Sequence, residues 1–405
     1  MIQKFIHRLL LRRHFWRTAT FSEVAELYAS RMLRILALNM TAAFTSIFLY
    51  QNGYSVLFIT LLWAGFFFYK FLIALPMAAI IAHVGPKHAI LYANLMYIPG
   101  LISLAFLPSF GAVVLIPMVI FQATSSMMYQ IAYMVNFSKV KSIEHAGKEI
   151  AYMNIIEKIT TGLSPLLGGV LAFLFGPQIV IVLAALLFVV AAVPLFKSAE
   201  QESPRQKLVF TGFPWHLVTR NVAAETARGF DLFTSGTVWS LFTAITIIGI
   251  AADNQIYATN GLLSSVILLA ALGASYAYGR LIDRRRGREL LLFGTIANSI
   301  THLSRPFIAT TVGIAGLNIA NEAATAGYSM AYTRGSFDSA DLSGQRTTYL
   351  GLMEALTALG STLAAGVLAL MLCVLPDAHA MEYFFYVAAA VVLLIATARF
   401  PLYRR

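Results

Sequence analysis

The chain has 405 residues, of which 59% are hydrophobic and only 12% charged, and its mean hydropathy is +0.75. Soluble domains carry about a quarter charged residues, so water is not the principal solvent here. A bilayer span takes about 20 apolar residues, and a dozen such spans leave room for short loops and one modest linker. This excludes a sizeable soluble catalytic domain. The single cysteine, Cys373, excludes an internal disulfide, and no spaced Cys/His cluster marks a metal site, so neither metal nor cofactor is expected. No GxxxxGK[ST] loop marks an ATP-driven pump. The net charge of +11 fits cytoplasmic membrane loops as well as nucleic acid, and the positions of the charges decide for the membrane.

Residues 1–34 read as a cytoplasmic amphipathic segment, in which Ile2, Phe5, Ile6, Leu9 and Leu10 form a stripe opposite Lys4, Arg8 and Arg12. An organelle presequence has the same character. Thr20 to Glu23 reads as a capping box opening the helix that enters the first span. Apolar runs then predict spans near 35–52, 54–83, 88–107, 111–136, 149–175 and 178–196, an N-terminal six-helix half over 35–196. A polar cytoplasmic linker follows at 197–230, with an amphipathic helix near 215–228. The second half, 231–398, has spans near 232–252, 256–281, 289–310, 312–333, 347–374 and 381–398, and 399–405 is a tail. With the N-terminus inside, all but three of the 29 basic residues fall on inner segments, Arg31, Arg34 and Arg228 among them. The outer loops hold none. Lys70, Lys158 and Arg305 fall inside spans. The positive-inside rule therefore places both termini in the cytoplasm and makes the span number even, as in a multi-pass protein of the plasma (inner) membrane.

The chain is a duplication. Residues 147–172 align without a gap with 344–369, so that Gly147, Tyr152, Glu157, Thr160, Ser164 and Gly169 recur as Gly344, Tyr349, Glu354, Thr357, Ser361 and Gly366. Upstream, Tyr129 and Tyr133 recur as Tyr328 and Tyr332. An all-α membrane protein of twelve transmembrane helices in two pseudo-symmetric six-helix halves follows, an architecture whose site lies between the halves at mid-membrane.

Between the eighth and ninth spans stands Gly279-Arg-Leu-Ile-Asp283-Arg284-Arg-Arg-Gly287-Arg288. This segment resembles the G-x-L-x-D-R-x-G-R loop of the major facilitator superfamily, with one extra residue. The matching loop of the first half keeps Gly85 and Lys87 but has His83 where the family has aspartate. The resemblance implies the major facilitator fold, a gating role for these loops, and a monomeric secondary transporter of a small solute working by alternating access. Ser164-Pro165-Leu-Leu-Gly168-Gly169 is similar to the G-P-x-x-G-G motif of the superfamily's proton-coupled exporters and implies a proton-coupled antiporter directed to export. Read from the residues alone, it is a bend and a close-packing strip. The first span lacks the aspartate of many drug exporters.

A charge in hydrocarbon costs about 2.5–3.5 kcal/mol, so each buried charge needs a partner or a use. Glu322 lies mid-span, and Asn318, Asn321, Thr325 and Ser329 share its face. Gln122, Ser125, Ser126, Tyr129 and Tyr133 form the equivalent face of the fourth span. Glu322 is expected to open onto a central cavity beside Gln122 and to bind a proton or the solute. Tyr129, Tyr133, Tyr328, Tyr332 and Trp239 either stack on a solute or pack. Lys158 is expected to pair with a cavity carboxylate or to bind an anion. Glu157 and Glu354 are expected in ion pairs holding the halves together, with Lys70 facing Glu354, and Arg305 is expected to snorkel. Asp283 is expected at the N-terminus of the fifth helix, near Gly147 and Lys148. The alternatives to a transporter are a transporter-derived receptor or accessory protein, and a membrane-embedded enzyme.

Overall fold

The computed structural model describes residues 21–41, 45–142, 144–175, 177–197, 205–248 and 272–403. The amphipathic stripe and Thr20 of the capping box lie outside them, as do most of the eighth span and the last two residues of the tail. The principal helices of the first half are α1 Phe21–Thr41, α2 Val56–Val84, α3 Pro86–Ala105, α4 Leu115–Val140, α5 Ala146–Phe175 and α6 Pro177–Val190. Those of the second are α7 Val222–Phe233, α8 over 272–283, α9 Gly287–Ser304, α10 Thr311–Leu342, α11 Arg346–Leu372 and α12 Asp377–Val392. Among the described residues, eight helices are long and apolar enough to cross a membrane.

Local chemistry sets the boundaries. Ser55 caps α2 by accepting from the Phe58 N–H at 3.2 Å, and Thr310 caps α10 by accepting from Gly313 at 3.1 Å. Gly85, at φ 88°, turns the chain between α2 and α3, whose first residue is Pro86. α7 continues through π-helical turns at Thr234–Val238 and Thr243–Ile248. In these turns Thr234 and Thr243 donate back to the carbonyls of Phe230 and Trp239, a contact that loosens helical hydrogen bonding.

Within the first half α1 packs on α5 and α3 on α4; within the second α7 packs on α11 and α9 on α10. The halves meet along α2 against α11 and α5 against α10. Where α7 meets α11 the backbones touch, since a Cβ on Gly229 would lie 1.9 Å from the Thr357 carbonyl oxygen, and one on Gly360 would lie 1.9 Å from that of Thr226.

Two expected boundaries are corrected. α1 runs over Phe21–Thr41, and Arg31 and Arg34, expected in a cytoplasmic 1–34 segment, lie on its face packed within the bundle. α7 starts at Val222, not in the 230s, and carries Glu225, Arg228 and Asp231 into the bundle, while the 215–228 linker helix shrinks to His216–Thr219. In both cases each charge is paired or hydrogen-bonded inside the protein, which removes the cost that made a loop the cheaper reading.

Candidate functional site

One end of the bundle, here called the basic end, is sealed. Residues 131–138 of α4 are all buried, as are 331–333, 335–337 and 339–340 of α10. Lys141 reaches Asp341 across the halves at 2.7 Å, and Arg346 holds the other oxygen of Asp341 at 2.6 Å. The rings of Phe137 and Phe337 lie 5.8 Å apart above this pair.

Asp283 sits at the same end. It accepts from the N–H groups of Gly147 at 2.8 Å and Lys148 at 3.2 Å, the first turn of α5, where the helix dipole favours a carboxylate. A Cβ on Gly147 would lie 2.6 Å from the Asp283 carboxylate, and one on Gly279 would lie 2.9 Å from the Gly147 carbonyl, so both glycines are needed for the approach. Burial pushes the Asp283 carboxyl up from 3.8 despite the amide donors and the nearby Lys148. The other loop residues face their own halves. Lys87 lies 3.9 Å from Glu26, Arg288 donates to the Ala398 carbonyl at 2.7 Å, and Gly287 lies against the Tyr403 ring. Arg284 follows α8 in the turn.

At mid-height a band of charges crosses the molecule. Lys158 of α5 engages both oxygens of Glu322 of α10, at 2.8 and 2.9 Å, and so bridges the halves. Its side chain is 31% exposed and that of Glu322 13%. Lys158 lies 12 residues into α5, about 18 Å at 1.5 Å per residue, too deep to reach headgroups. The pair therefore borders the space between the halves.

Beside it, Arg31 binds Glu157 at 2.7 Å with its guanidinium 4.6 Å from the Tyr133 ring centre. The second half repeats the arrangement: Arg228 lies 3.6 Å from Glu354 and 5.2 Å from the Tyr332 ring centre. Both ion pairs lie within their halves, contrary to the expectation for Glu157, but Glu354 also hydrogen-bonds Gln130 of α4 and faces Lys70 of α2 across the interface between the halves. The facing of Lys70 and Glu354 is as expected, but the direct hydrogen bond of Lys70 is to Ser126 at 3.2 Å. Arg228 holds Glu225 as well, at 2.9 Å.

One turn further along, the repeat diverges. Arg34 of α1 is 2% exposed, donates to Asn94 and to Ser125 at 3.0 Å, and covers the Tyr129 ring at 3.9 Å. At the matching place in α7 stands Asp231, bound by His302 at 2.7 Å and by the Tyr328 hydroxyl. Arg305 does not snorkel. It is 1% exposed and donates to Thr234, Ser235 and Asn321 over the Trp239 ring.

Of the remaining expected residues, Asn318 accepts from Trp239 at 2.7 Å, Asn321 accepts from Arg305 and Thr301, and Thr325 donates to Asn298 at 3.5 Å. Gln122 is not beside Glu322. It is 5% exposed and turned toward α3, where the absent side chain of Gly100 makes room for its stem. The four tyrosines are engaged by the protein's own groups, with arginines over Tyr129, Tyr133 and Tyr332, so they carry no free stacking face for a solute. In the Ser164-to-Gly169 strip α5 stays helical; Ser164 bonds the Thr160 carbonyl, and a Cβ on Gly168 would lie 2.8 Å from the Met40 carbonyl of α1. The surroundings of Pro165 and Gly169 lie outside what the structure describes.

The fold is that of the major facilitator superfamily transporters, an all-helical membrane protein of two six-helix halves. Comparison of the sequence with family models and with curated proteins gives no match. Solved structures do match. The chain is similar to the E. coli fucose:proton symporter FucP, with a TM-score of 0.68 and 13% identity over 94% of this chain and 98% of that one. It is similar to a bacterial homologue of the iron transporter ferroportin in an outward-facing state, with a TM-score of 0.68 and 15% identity over 93% and 98%. It is also similar to the human organic anion transporter MFSD10, with a TM-score of 0.66 and 13% identity over 95% and 100%. At these identities the likeness is one of fold.

Proposed function

We propose that the protein is a secondary transporter that moves a small solute by alternating access of its two halves, with Glu322 carrying the coupling proton. The observation behind this reading is the Lys158–Glu322 pair, a charge bridge between the halves at mid-height with its lysine partly open. A pair that only stabilises a bundle joins helices of one half, as Arg31–Glu157 joins α1 to α5. One that spans the moving interface has to break and re-form as the halves rock. The sealed basic end supports an outward-facing reading of the present state, with that end in the cytoplasm of a plasma membrane. The likeness of 164–169 to the exporter motif supports export in exchange for protons.

The test uses protein reconstituted in vesicles, with solutes first found by their thermal stabilisation; a ligand at 100 times its Kd adds about 2.7 kcal/mol. Glu322→Gln keeps the size and hydrogen bonding of the side chain. It is expected to abolish proton-driven accumulation while solute counterflow, which moves no net proton, survives. Wild-type accumulation by this variant from acid to alkaline pH would refute the coupling role.

A further inference from the structure

At the basic end both halves place a cation at the second residue of a helix, and only one of the two is neutralised by the protein. Lys87 of α3 is 4% exposed and lies 3.9 Å from Glu26 of α1. Its counterpart in the second half is Arg288 of α9, which has no carboxylate within 4 Å among the described residues. The repeat gives the reason. In the register that matches Arg31 with Arg228, Glu26 becomes Ala223. The acids nearest to Arg288 in the chain do not replace it. Asp283 is held by the amides of α5, and Glu289 is exposed and forms no ion pair with Arg288.

Arg288 borders a groove. With Ala398, Arg399, Phe400 and Tyr403 it lines a cavity of about 260 Å³ between the start of α9 and the chain end. Three hydrogen bonds fix the walls. Arg288 donates through Nη1 to the Ala398 carbonyl and the Tyr403 hydroxyl donates to that of Ala331, both at 2.7 Å, while the Arg399 N–H donates to the Asn221 side chain at 2.8 Å. The Arg399 side chain is exposed and makes no hydrogen bond or ion pair among the described residues. Arg284, Arg285 and Arg286 stand exposed at the approach. A guanidinium fork matches two phosphate oxygens at once, so the groove is suited to a phosphate.

The surface beside the groove says what carries that phosphate. Phe293 and Ile296 of α9 are 63% and 52% exposed, and Leu393 and Leu394 at the end of the last span are exposed as well. In a multi-pass membrane protein such side chains meet acyl chains. A free phosphate makes no use of them; a lipid uses both surfaces. We infer that the groove binds the phosphate of an anionic phospholipid on Arg288 and Arg399, with the acyl chains over Phe293, Ile296, Leu393 and Leu394. The exposed arginines of the approach favour a headgroup of net negative charge. The lipid then gives the second half the anion that Glu26 gives the first, and it fastens the chain end to α9 beside the Asp283 loop. This site does not depend on the transport reading.

The test heats the purified full chain in a neutral detergent with graded phosphatidylglycerol, with phosphatidylcholine of the same acyl chains, and with inorganic phosphate at matched ionic strength. Phosphatidylglycerol is expected to raise the melting temperature in a saturating manner, at least about twofold more than phosphatidylcholine. Inorganic phosphate is expected to act no differently from chloride. Arg288→Gln with Arg399→Gln abolishes the difference between the two lipids. Arg205→Gln with Lys207→Gln, which removes the same charge from exposed linker residues at the same end, preserves it. Equal responses to the two lipids overturn the inference. An equal loss in both double variants also overturns it, because overall charge then explains the preference. A response to inorganic phosphate as large as that to phosphatidylglycerol overturns the lipid as ligand. If the first double variant does not fold, Arg399→Gln alone decides: a lipid preference cut to about half or less is expected, and an unchanged preference overturns the site.

Discussion

Glu157 and Glu354 occupy equivalent places in the repeat, yet the structure predicts unequal consequences of removing their charges. Glu157→Gln leaves Arg31 over the Tyr133 ring but without the carboxylate now 2.7 Å away. Breaking one partner of a fully buried pair costs about 3–5 kcal/mol. The Glu157 side chain is 29% exposed and the glutamine oxygen still accepts a hydrogen bond, so the expected loss is roughly 1–3 kcal/mol. Arg228, by contrast, lies nearer to Glu225, at 2.9 Å, than to Glu354, at 3.6 Å. Glu354→Gln leaves it the closer partner and removes the repulsion between two carboxylates sharing one guanidinium, so the change stays within about 1 kcal/mol. Unfolding of the two purified variants in mild detergent, followed by tryptophan fluorescence, measures both losses on one scale. Equal losses, or a larger one for Glu354→Gln, would show that contacts other than these ion pairs decide the stability of the α1–α5 and α7–α11 seams.

Asp283→Ala takes the acceptor from two N–H groups of α5, each worth about 1–3 kcal/mol when left unpaired, and should raise cysteine labelling of the interface from the basic end at least tenfold. Since burial raises the Asp283 pKa above 3.8 in the latched state, latching takes up protons. Falling pH therefore favours the closed basic end, beginning as pH drops through the raised value and saturating below 3.8; labelling that grows on acidification contradicts this. Gly229→Ala places a Cβ 1.9 Å from the Thr357 carbonyl oxygen, a clash of two backbones, and should abolish monodisperse protein on gel filtration. Gly236→Ala on the same helix meets nothing within 4 Å and should stay within about 1 kcal/mol of wild type; identical behaviour of the two refutes the close-approach argument.

Legibility followed burial chemistry rather than position in the chain. The halves, the repeat and most spans come from hydropathy and spacing because lipid imposes both on the sequence. Asp283 was placeable because helix N-termini attract carboxylates whatever the fold. Arg31, Arg34 and Arg228 were read as belonging to flanking segments for one reason: a hydropathy window prices them as unpaired charges, and each is satisfied across a helix interface that no window sees. A signal was nevertheless present. Arg31 and Arg228 stand the same distance before Glu157 and Glu354, so the repeat extends further upstream than the aligned segment and carries a conserved charge pair with it. Gln122 was misassigned because a helical face of polar residues does not tell a cavity from a neighbouring helix with a glycine opposite.

The two loops at the basic end show how a duplicated fold becomes directional. In the second half Asp283 reaches over to α5 of the first half and ties the two together. In the first half the aspartate position is His83, and its carbonyl, with that of Ala82, accepts from Arg205 and Gln206 of the linker at 2.7 and 3.0 Å. The linker thus adds its backbone to the end of α2, at the loop that matches the Asp283 loop of the other half. Closure of the basic end is then carried by Asp283 and by Lys141 on Asp341, each of which exposes a charge to water when it opens. Such contacts exchange protein partners for water at small net cost, as the proposed transport cycle requires. The α7–α11 seam, where backbones touch at Gly229 and Gly360, has no such exchange available, so in the proposed cycle it stays shut and the halves move at the surface between them where Lys158 and Glu322 meet.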